Sequence, residues 1–202
     1  MHTNPESDTD TRLMLGVKAG DVSCFEELVE RNKQRVLDLV YRFLGASQDA
    51  EDIAQEVFVN IYNARNRYKP KAKFTTWLYT VCRNTCYKAV RKHRPVLVSL
   101  NRADEEFPSE ALKADPNMLT PRDNLLLEER MDMFRQAMGA LPEAQRMALI
   151  LRRYEQLPYQ EIAEIMGTSL EAVKSLLHRA KSSLVAHMES YLSAKPYRKD
   201  GI

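Results

Sequence analysis

The sequence of 202 residues predicts an all-α fold in which two small helical domains are joined by a flexible linker. Apolar residues recur at steps of three and four over most of the chain, which is the spacing of amphipathic helices. Only 6 glycines are present and no segment alternates β-branched with polar residues, so an all-β or glycine-rich nucleotide-binding fold is disfavoured. Four prolines interrupt the helical pattern near the middle of the chain and indicate the linker: Pro95, Pro108, Pro116 and Pro121.

The first domain is expected to span residues 11–94, after a polar and acidic N-terminus, residues 1–10, that is expected to be disordered. Glycines that end helices and hydroxyl groups that cap them mark the element boundaries. In order, the predicted elements are a helix that ends at Gly45, a helix over about residues 48–64, a loop over residues 68–73 that contains Pro70, and a helix from Thr75 or Thr76 to about residue 91.

The second domain is expected to span residues 123–192, after a linker over residues 95–122 and before a polar tail, residues 193–202. A glycine after a helix and a proline at the first helical position are common boundary signals. The predicted elements are a helix over residues 125–138 that Gly139 ends, a helix that begins with Pro142, and two shorter helices over about residues 159–166 and 169–192.

Residues 159–181 have the pattern of a helix-turn-helix. Ala163 is small enough for two crossing helices to touch, and Gly167 suits a turn with a positive φ angle. Thr168 and Glu171 have the capping-box spacing at the start of the second helix. That helix has one apolar side and suits entry into a DNA major groove, although a solvated helix in a small bundle is the alternative. Its polar residues are Lys174, Ser175, His178, Arg179 and Lys181.

Residues 60–103 include eleven lysines and arginines and no aspartate or glutamate. Such a concentration of positive charge indicates a polyanionic partner. Aromatic residues lie among the cations, and exposed aromatic rings stack on the bases of single-stranded nucleic acid. Trp77 falls on the apolar side of its helix and is expected in the core rather than on bases. Tyr79, Arg83 and Tyr87 form a row at steps of four on another face, where we expect DNA.

The helix before this basic segment is acidic. Glu51 and Asp52 fall in its first turn, where acidic side chains stabilise the helix dipole, whereas Glu56 lies further inside and needs another explanation. Surfaces of opposite charge indicate a protein partner in addition to a nucleic acid. Paired carboxylates also suit acid–base catalysis or metal binding, but no His, Cys or Ser motif supports either. No catalytic residue, metal site or cofactor is therefore predicted.

Cysteine content and hydropathy indicate the compartment. Three cysteines cannot all pair within one chain, and reduced thiols fit the cytoplasm. Cys82 and Cys86 share a helical face and are expected to be core side chains rather than a metal or redox pair. No apolar run is long enough to span a membrane, and the N-terminus lacks a secretory signal. A cytoplasmic protein is expected.

Three blocks of the chain resemble, in order, regions of bacterial RNA polymerase sigma factors. Residues 49–58, DAEDIAQEVF, resemble region 2.2, and residues 73–85, KFTTWLYTVCRNT, resemble regions 2.3 and 2.4. Residues 141–146, LPEAQR, together with the helix-turn-helix resemble region 4. The chain is similar to group IV sigma factors of the extracytoplasmic-function (ECF) type, which consist of domains 2 and 4 alone.

This resemblance implies a transcription initiation factor, and not an enzyme, that directs core RNA polymerase to promoters. The first domain would be the sigma domain 2 helical bundle and the second would be sigma domain 4. Asp52, Gln55 and Glu56 would dock on the clamp helices of the polymerase β′ subunit, and region 4 would meet the β flap. The residues implied in −10 promoter binding are Lys73, Thr76, Tyr79, Arg83, Asn84, Tyr87, Lys88 and Arg91. Those implied in −35 binding are Ser169, Glu171, Lys174, Ser175, His178, Arg179 and Lys181.

The resemblance further implies control by an anti-sigma factor in a stress or envelope response, which could hold the protein at the inner membrane face. The linker would thread toward the polymerase active-site cleft, with the acidic residues 104–106 mimicking nucleic acid. Leu176 departs from the family pattern, which often has a basic residue there, and removes one expected phosphate contact. The alternatives are a stand-alone helix-turn-helix regulator, which would bind its operator without polymerase, and a DNA-processing enzyme, which lacks a catalytic constellation here.

Overall fold

A computed structural model of the protein describes residues 8–45, 49–93 and 132–194, and these ranges are helical throughout apart from short connections. The predicted all-α fold is confirmed. The helices are α1 (Thr9–Lys18), α2 (Val22–Leu44), α3 (Ala50–Ala64), α4 (Phe74–His93), α5 (132–140), α6 (Glu143–Arg153), α7 (Tyr159–Met166) and α8 (Leu170–Ala194), with a 3-10 turn at Arg65–Arg67. The linker prediction for residues 95–122 lies outside the described residues, as does the tail after residue 194.

Helix α1 begins at Thr9, so the last two residues of the segment expected to be disordered are helical. The cause is a tertiary contact: the buried carboxylate of Asp10 accepts hydrogen bonds from Arg31, at 2.7 Å, and from Asn32, at 3.3 Å. Met14 and Val17 then bury the apolar side of α1 against α2. The N-terminal helix is therefore part of the first domain's core.

Local signals explain the boundaries of α2. The Asp21 carboxylate accepts hydrogen bonds from the backbone N–H groups of Ser23 and Cys24, which caps the helix. The helix ends before Gly45, which has φ +82°, as the sequence predicts. Helix α3 carries Glu51 and Asp52 in its first turn, where they favour the helix dipole.

Helix α4 begins one residue before the predicted start, and its cap is not a local threonine. Thr75 and Thr76 lie inside the first turn. The N–H of Phe74 donates instead to the carboxylate of Asp8, at 3.3 Å, and Asp8 lies 66 positions earlier in the chain. A cap supplied across the fold has no spacing signal in the sequence.

In the second domain the structure differs from the sequence prediction at three helix boundaries. Helix α5 continues through Gly139 to residue 140, and Pro142 precedes α6 rather than being its first residue. Ser169, not Thr168, caps α8, because its hydroxyl accepts the N–H of Ala172 at 3.1 Å. Gly167 has φ +62° and makes the predicted left-handed turn. The start predicted for α5, residues 125–131, lies outside the described residues.

The two helical units contact one another. Helix α3 packs against α2 and α4, and α6, α7 and α8 pack together. Helix α7 also packs on α4, and α6 packs on α2; we call these contacts the closed arrangement. Within the described ranges, no helix is both long and apolar enough to cross a membrane.

Candidate nucleic-acid and protein interfaces

The acidic surface of α3 is accessible. Asp52 and Gln55 are exposed, on the side opposite the buried apolar residues of the helix. Glu56 is half-buried and forms an ion pair with Lys88 of α4, with 3.0 Å between Oε1 and Nζ. Val59 and Tyr62 continue the same face at helical steps and are 56% and 37% exposed. Nothing in the sequence indicates that these two apolar residues are exposed, because their exposure depends on what packs beside α3.

The basic loop before α4 is also accessible, and its lysines Lys69, Lys71 and Lys73 are exposed. Lys73 contacts Glu161 of α7 at 3.1 Å. Since the Lys73 side chain is half exposed, this ion pair contributes little stability.

Part of the predicted DNA surface on α4 is buried. Thr76 and Tyr79 are 7% and 3% exposed. The hydroxyl of Tyr79 donates to the carboxylate of Glu155, which lies in the turn between α6 and α7. Burial first, and the Glu155 charge second, raise the pKa of Tyr79, so this phenol stays protonated and remains a donor.

Arg83 lies at the centre of the contact between α4 and α7. Its guanidinium donates to the backbone carbonyl of Ile165, in the last turn of α7, where a cation stabilises the helix dipole. It also donates twice to the side-chain oxygen of Asn84, at 3.1 and 2.7 Å. Asn84 itself is exposed.

The last part of the row lies at the edge of a cleft. Tyr87 is half-buried with its ring centroid 5.7 Å from that of Phe43, and its buried hydroxyl has no hydrogen-bond partner among the residues that the structure describes. Desolvation raises the pKa of Tyr87 to about 12. Lys88 and Arg91 are exposed. The cleft has a volume of about 440 Å³ and is lined by Arg83, Asn84, Tyr87, Lys88, Arg91 and Met166.

The predicted major-groove face of α8 points away from these contacts. Ser175 is half-buried and accepts hydrogen bonds from Arg179 at 3.2 and 2.7 Å, which orients that guanidinium along the helix. The other residues predicted to bind here are all exposed: Ser169, Glu171, Lys174, His178, Arg179 and Lys181. The described structure thus leaves most of one predicted DNA surface exposed and buries part of the other.

Arginines complete the closed arrangement. Arg146 of α6 donates to the backbone carbonyl of Phe43 at 2.7 Å and lies 5.4 Å from the centroid of its ring. Arg42 lies 3.8 Å from the Glu155 carboxylate and 4.5 Å from the Tyr154 ring centroid. No sequence pattern indicates this role of Glu155, because its partners are far away along the chain.

The aromatic and cysteine predictions concern the core. Trp77 is half-buried and packs edge-on against Tyr68 with 4.9 Å between ring centroids, as a core residue would.

Cys82 and Cys86 are fully buried, which confirms the core prediction. Burial raises the pKa of Cys86 to about 12, so its thiol is unreactive at neutral pH. In the part of the chain that the structure describes, no cluster of three or more His, Cys, Asp or Glu side chains could hold a metal ion.

Comparisons with known proteins identify both helical units. Residues 28–96 match the family Sigma-70 region 2, and residues 131–184 match Sigma-70, region 4. The chain is 32% identical over 179 residues to the RNA polymerase sigma-H factor of Pseudomonas aeruginosa, covering 88% of this chain and 92% of that protein. It is 34% identical over 183 residues to the ECF RNA polymerase sigma-E factor of Escherichia coli K12, covering 89% and 94%.

A solved structure has a similar fold. It is the sigma factor RpoE in complex with the anti-sigma factor NepR, from Bartonella quintana. The match has a TM-score of 0.61 and 19% sequence identity, and it covers 83% of this chain and 98% of that one. At this identity the likeness concerns the fold.

Proposed function

The chain belongs to the sigma-70 family as an ECF-type sigma factor, and from this premise we propose which surfaces bind its partners. A sigma factor is a transcription initiation factor without enzymatic activity, so family membership decides against the stand-alone regulator and the DNA-processing enzyme. The proposed domains are residues 11–94 for core polymerase and −10 binding and residues 123–192 for −35 binding, joined by the linker 95–122.

Asp52, Gln55 and Glu56 are proposed to dock on the clamp helices of the polymerase β′ subunit. The observation that carries this proposal is that Asp52 and Gln55 are exposed on α3 while the basic surface lies on the neighbouring α4. Two surfaces of opposite charge on one small domain suit a protein and a nucleic acid at the same time. The second domain is proposed to meet the β flap.

The −35 element is proposed to bind the exposed face of α8, with residues near its start on base edges and its cations on phosphates. The residues are Ser169, Glu171, Lys174, Ser175, His178, Arg179 and Lys181. All of these residues except the half-buried Ser175 are exposed in the closed arrangement, which supports this proposal, because a duplex can reach α8 without any change in the contact between the domains.

The −10 element is proposed to bind the basic loop and α4 as a single strand. Flipping a base out of the duplex costs a few kcal/mol, which stacking on aromatic rings, at about 1–3 kcal/mol per base, can offset. Promoter melting would then need no ATP. The residues are Lys73, Thr76, Tyr79, Arg83, Asn84, Tyr87, Lys88 and Arg91.

In the closed arrangement Tyr79 is bound to Glu155 and Arg83 is bound to Ile165. Binding of a DNA strand at these residues therefore requires that α7 and the turn with Glu155 leave α4. We propose that docking on core polymerase, which holds the two domains on separate subunits, favours this opening.

An anti-sigma factor is proposed as the inhibitory partner. The NepR complex of RpoE from Bartonella quintana supports it by analogy, since that sigma factor has a similar fold. The protein is proposed to act in the cytoplasm, and an anti-sigma factor anchored in the membrane would hold it at the inner face.

Run-off transcription with purified core polymerase tests the proposed polymerase surface. The variant Asp52→Ala with Gln55→Ala removes two exposed side chains without disturbing the Glu56–Lys88 pair. We expect weaker core binding and less transcript at equal protein concentration. Glu26→Ala is the matched control, because Glu26 is exposed on α2. If the double variant binds core polymerase like the wild type, the polymerase surface lies elsewhere.

A further inference from the structure

Helix α1 holds both ends of the basic loop between α3 and α4. The Lys18 ammonium donates to the backbone carbonyl of Tyr68 at 2.9 Å, where the loop begins. The carboxylate of Asp8, just before α1, accepts the N–H of Phe74 at 3.3 Å, where the loop ends. Helix α1 precedes residue 28, at which the match to sigma-70 region 2 begins.

Helix α1, from which these two contacts are made, is itself anchored in the core of the first domain. Met14 and Val17 are 0% and 1% exposed in the core, and Asp10 is bound to Arg31 at 2.7 Å. Met14 and Val17 lie in a close-packed interior, where side chains have little freedom to shift. Helix α1 is therefore a rigid support for whatever its polar side chains hold.

The loop that α1 holds carries three of the exposed cations of the first domain. Tyr68, at its start, is 2% exposed and packs against Trp77 and Phe74, with ring centroids 4.9 and 6.3 Å apart. The part between Tyr68 and Phe74 is short and anchored at both ends. A loop ordered before binding loses less conformational entropy when it captures a ligand. The exposed cations are Lys69, Lys71 and Lys73.

We infer that α1, through Lys18 and Asp8, positions the basic loop for base recognition in the −10 strand and so contributes to promoter specificity. This rests on the proposed function of the loop and α4. Lys18 acts on the loop backbone and does not touch DNA. A loop released from α1 keeps its positive charge, so its attraction to phosphates stays while its discrimination between bases falls.

The test compares Lys18→Met with the conservative Lys18→Arg in holoenzyme assembled from core polymerase and the full chain. The probe is a single-stranded −10 oligonucleotide from a promoter on which the wild-type holoenzyme initiates, and the same strand with one base replaced. Dissociation constants for both are measured at several salt concentrations. Lys33→Met is the matched control, because Lys33 is an exposed lysine of α2 and its loss changes the net charge equally.

We expect Lys18→Met to lower the ratio of matched to mismatched affinity about tenfold, the effect of losing one charge-assisted hydrogen bond, with an unchanged salt dependence. Lys18→Arg retains most of the ratio, and Lys33→Met retains all of it. Asp8→Ala, which releases the other end of the loop, lowers the ratio as well and serves if Lys18→Met fails to fold.

Two results would overturn the inference. One is an unchanged ratio in both Lys18→Met and Asp8→Ala. The other is an equal loss of affinity for both strands with the salt slope reduced by about 1, which would make Lys18 a phosphate contact. If the wild-type holoenzyme itself does not distinguish the two strands, the proposed −10 function fails instead, so the two failures are separable.

Discussion

Replacing Glu155 with alanine is expected to shift the protein out of the closed arrangement. The Glu155 carboxylate accepts the Tyr79 hydroxyl and lies 3.8 Å from Arg42, so one side chain joins the turn after α6 to both α2 and α4. Glu155→Ala removes both contacts and leaves the other links between the domains in place. Without this hydrogen bond the buried position of Tyr79 is less stable, and Tyr79 becomes more available to DNA.

The size of the shift follows from the two contacts that are lost. A hydrogen bond to a charged acceptor contributes about 1.5–3 kcal/mol, and a partly exposed ion pair at this distance contributes less than about 1 kcal/mol. A total of about 2 kcal/mol changes the ratio of closed to open forms by about 30-fold. Because Arg83 still binds Ile165 and Arg146 still binds Phe43, a change in populations is expected rather than complete separation.

The assay measures the affinity of the free protein for a single-stranded −10 oligonucleotide and its radius of gyration by small-angle scattering. If the closed form dominates in the wild type, the apparent dissociation constant of the variant is lower by up to about 30-fold, because the population of the open form is larger. Glu164→Ala is the control, because Glu164 is exposed on α7 and its loss changes the charge equally. The reasoning is refuted if Glu155→Ala binds the strand no better than Glu164→Ala and has the wild-type radius of gyration.

Four further predictions concern stability and DNA binding. Gly167→Ala should cost about 1 kcal/mol in unfolding free energy, because φ is +62° there, whereas Gly139→Ala within α5 should gain up to about 1 kcal/mol; denaturant titration of both variants checks this. Ser169→Ala should lower the stability of the second domain by about 1 kcal/mol through loss of the α8 cap, measured as a lower melting temperature. Stability should be retained below pH 10.0 and fall as pH rises to about 12, because the unfolded chain ionises its tyrosines before buried Tyr87 does; Tyr87→Phe should flatten this fall in urea midpoints measured across that range. If Lys174 contacts one phosphate, Lys174→Ala should reduce the magnitude of the slope of log affinity against log salt concentration for −35 duplex by about 0.9. Filter binding at several salt concentrations measures this slope, and an unchanged slope would contradict the prediction.

Much of the fold could be predicted from the sequence because its signals are local. Gly45 and Gly167 mark turns through the backbone conformation that each allows, and both turns are observed. The exposed face of α3 with Asp52 and Gln55 follows from helical periodicity alone. The predicted cap of α8, Thr168, differs from the observed cap, Ser169, by one residue, as expected when two adjacent side chains can both cap a helix.

The candidate site was predicted less completely, because exposure depends on neighbours that are distant in the chain. Tyr79 lies on the predicted row, yet it is buried and its hydroxyl donates to Glu155, which is 76 residues away in the chain. Lys18 and Asp8 hold a loop that no spacing in the sequence connects with α1. Periodicity identifies the side of a helix on which a residue lies, but not what covers that side.

Residue types at short spacing are sufficient to predict the helical class, the separation of acidic and basic surfaces and the family. Tertiary contacts determine that the second domain engages Tyr79 and Arg83 of the predicted −10 surface while most of the predicted face of α8 stays exposed. The closed arrangement forms where helices that are far apart in the chain pack together, α7 on α4 and α6 on α2, and where Arg83 binds the Ile165 carbonyl. Those contacts depend on how two folded units meet, and no local pattern encodes them.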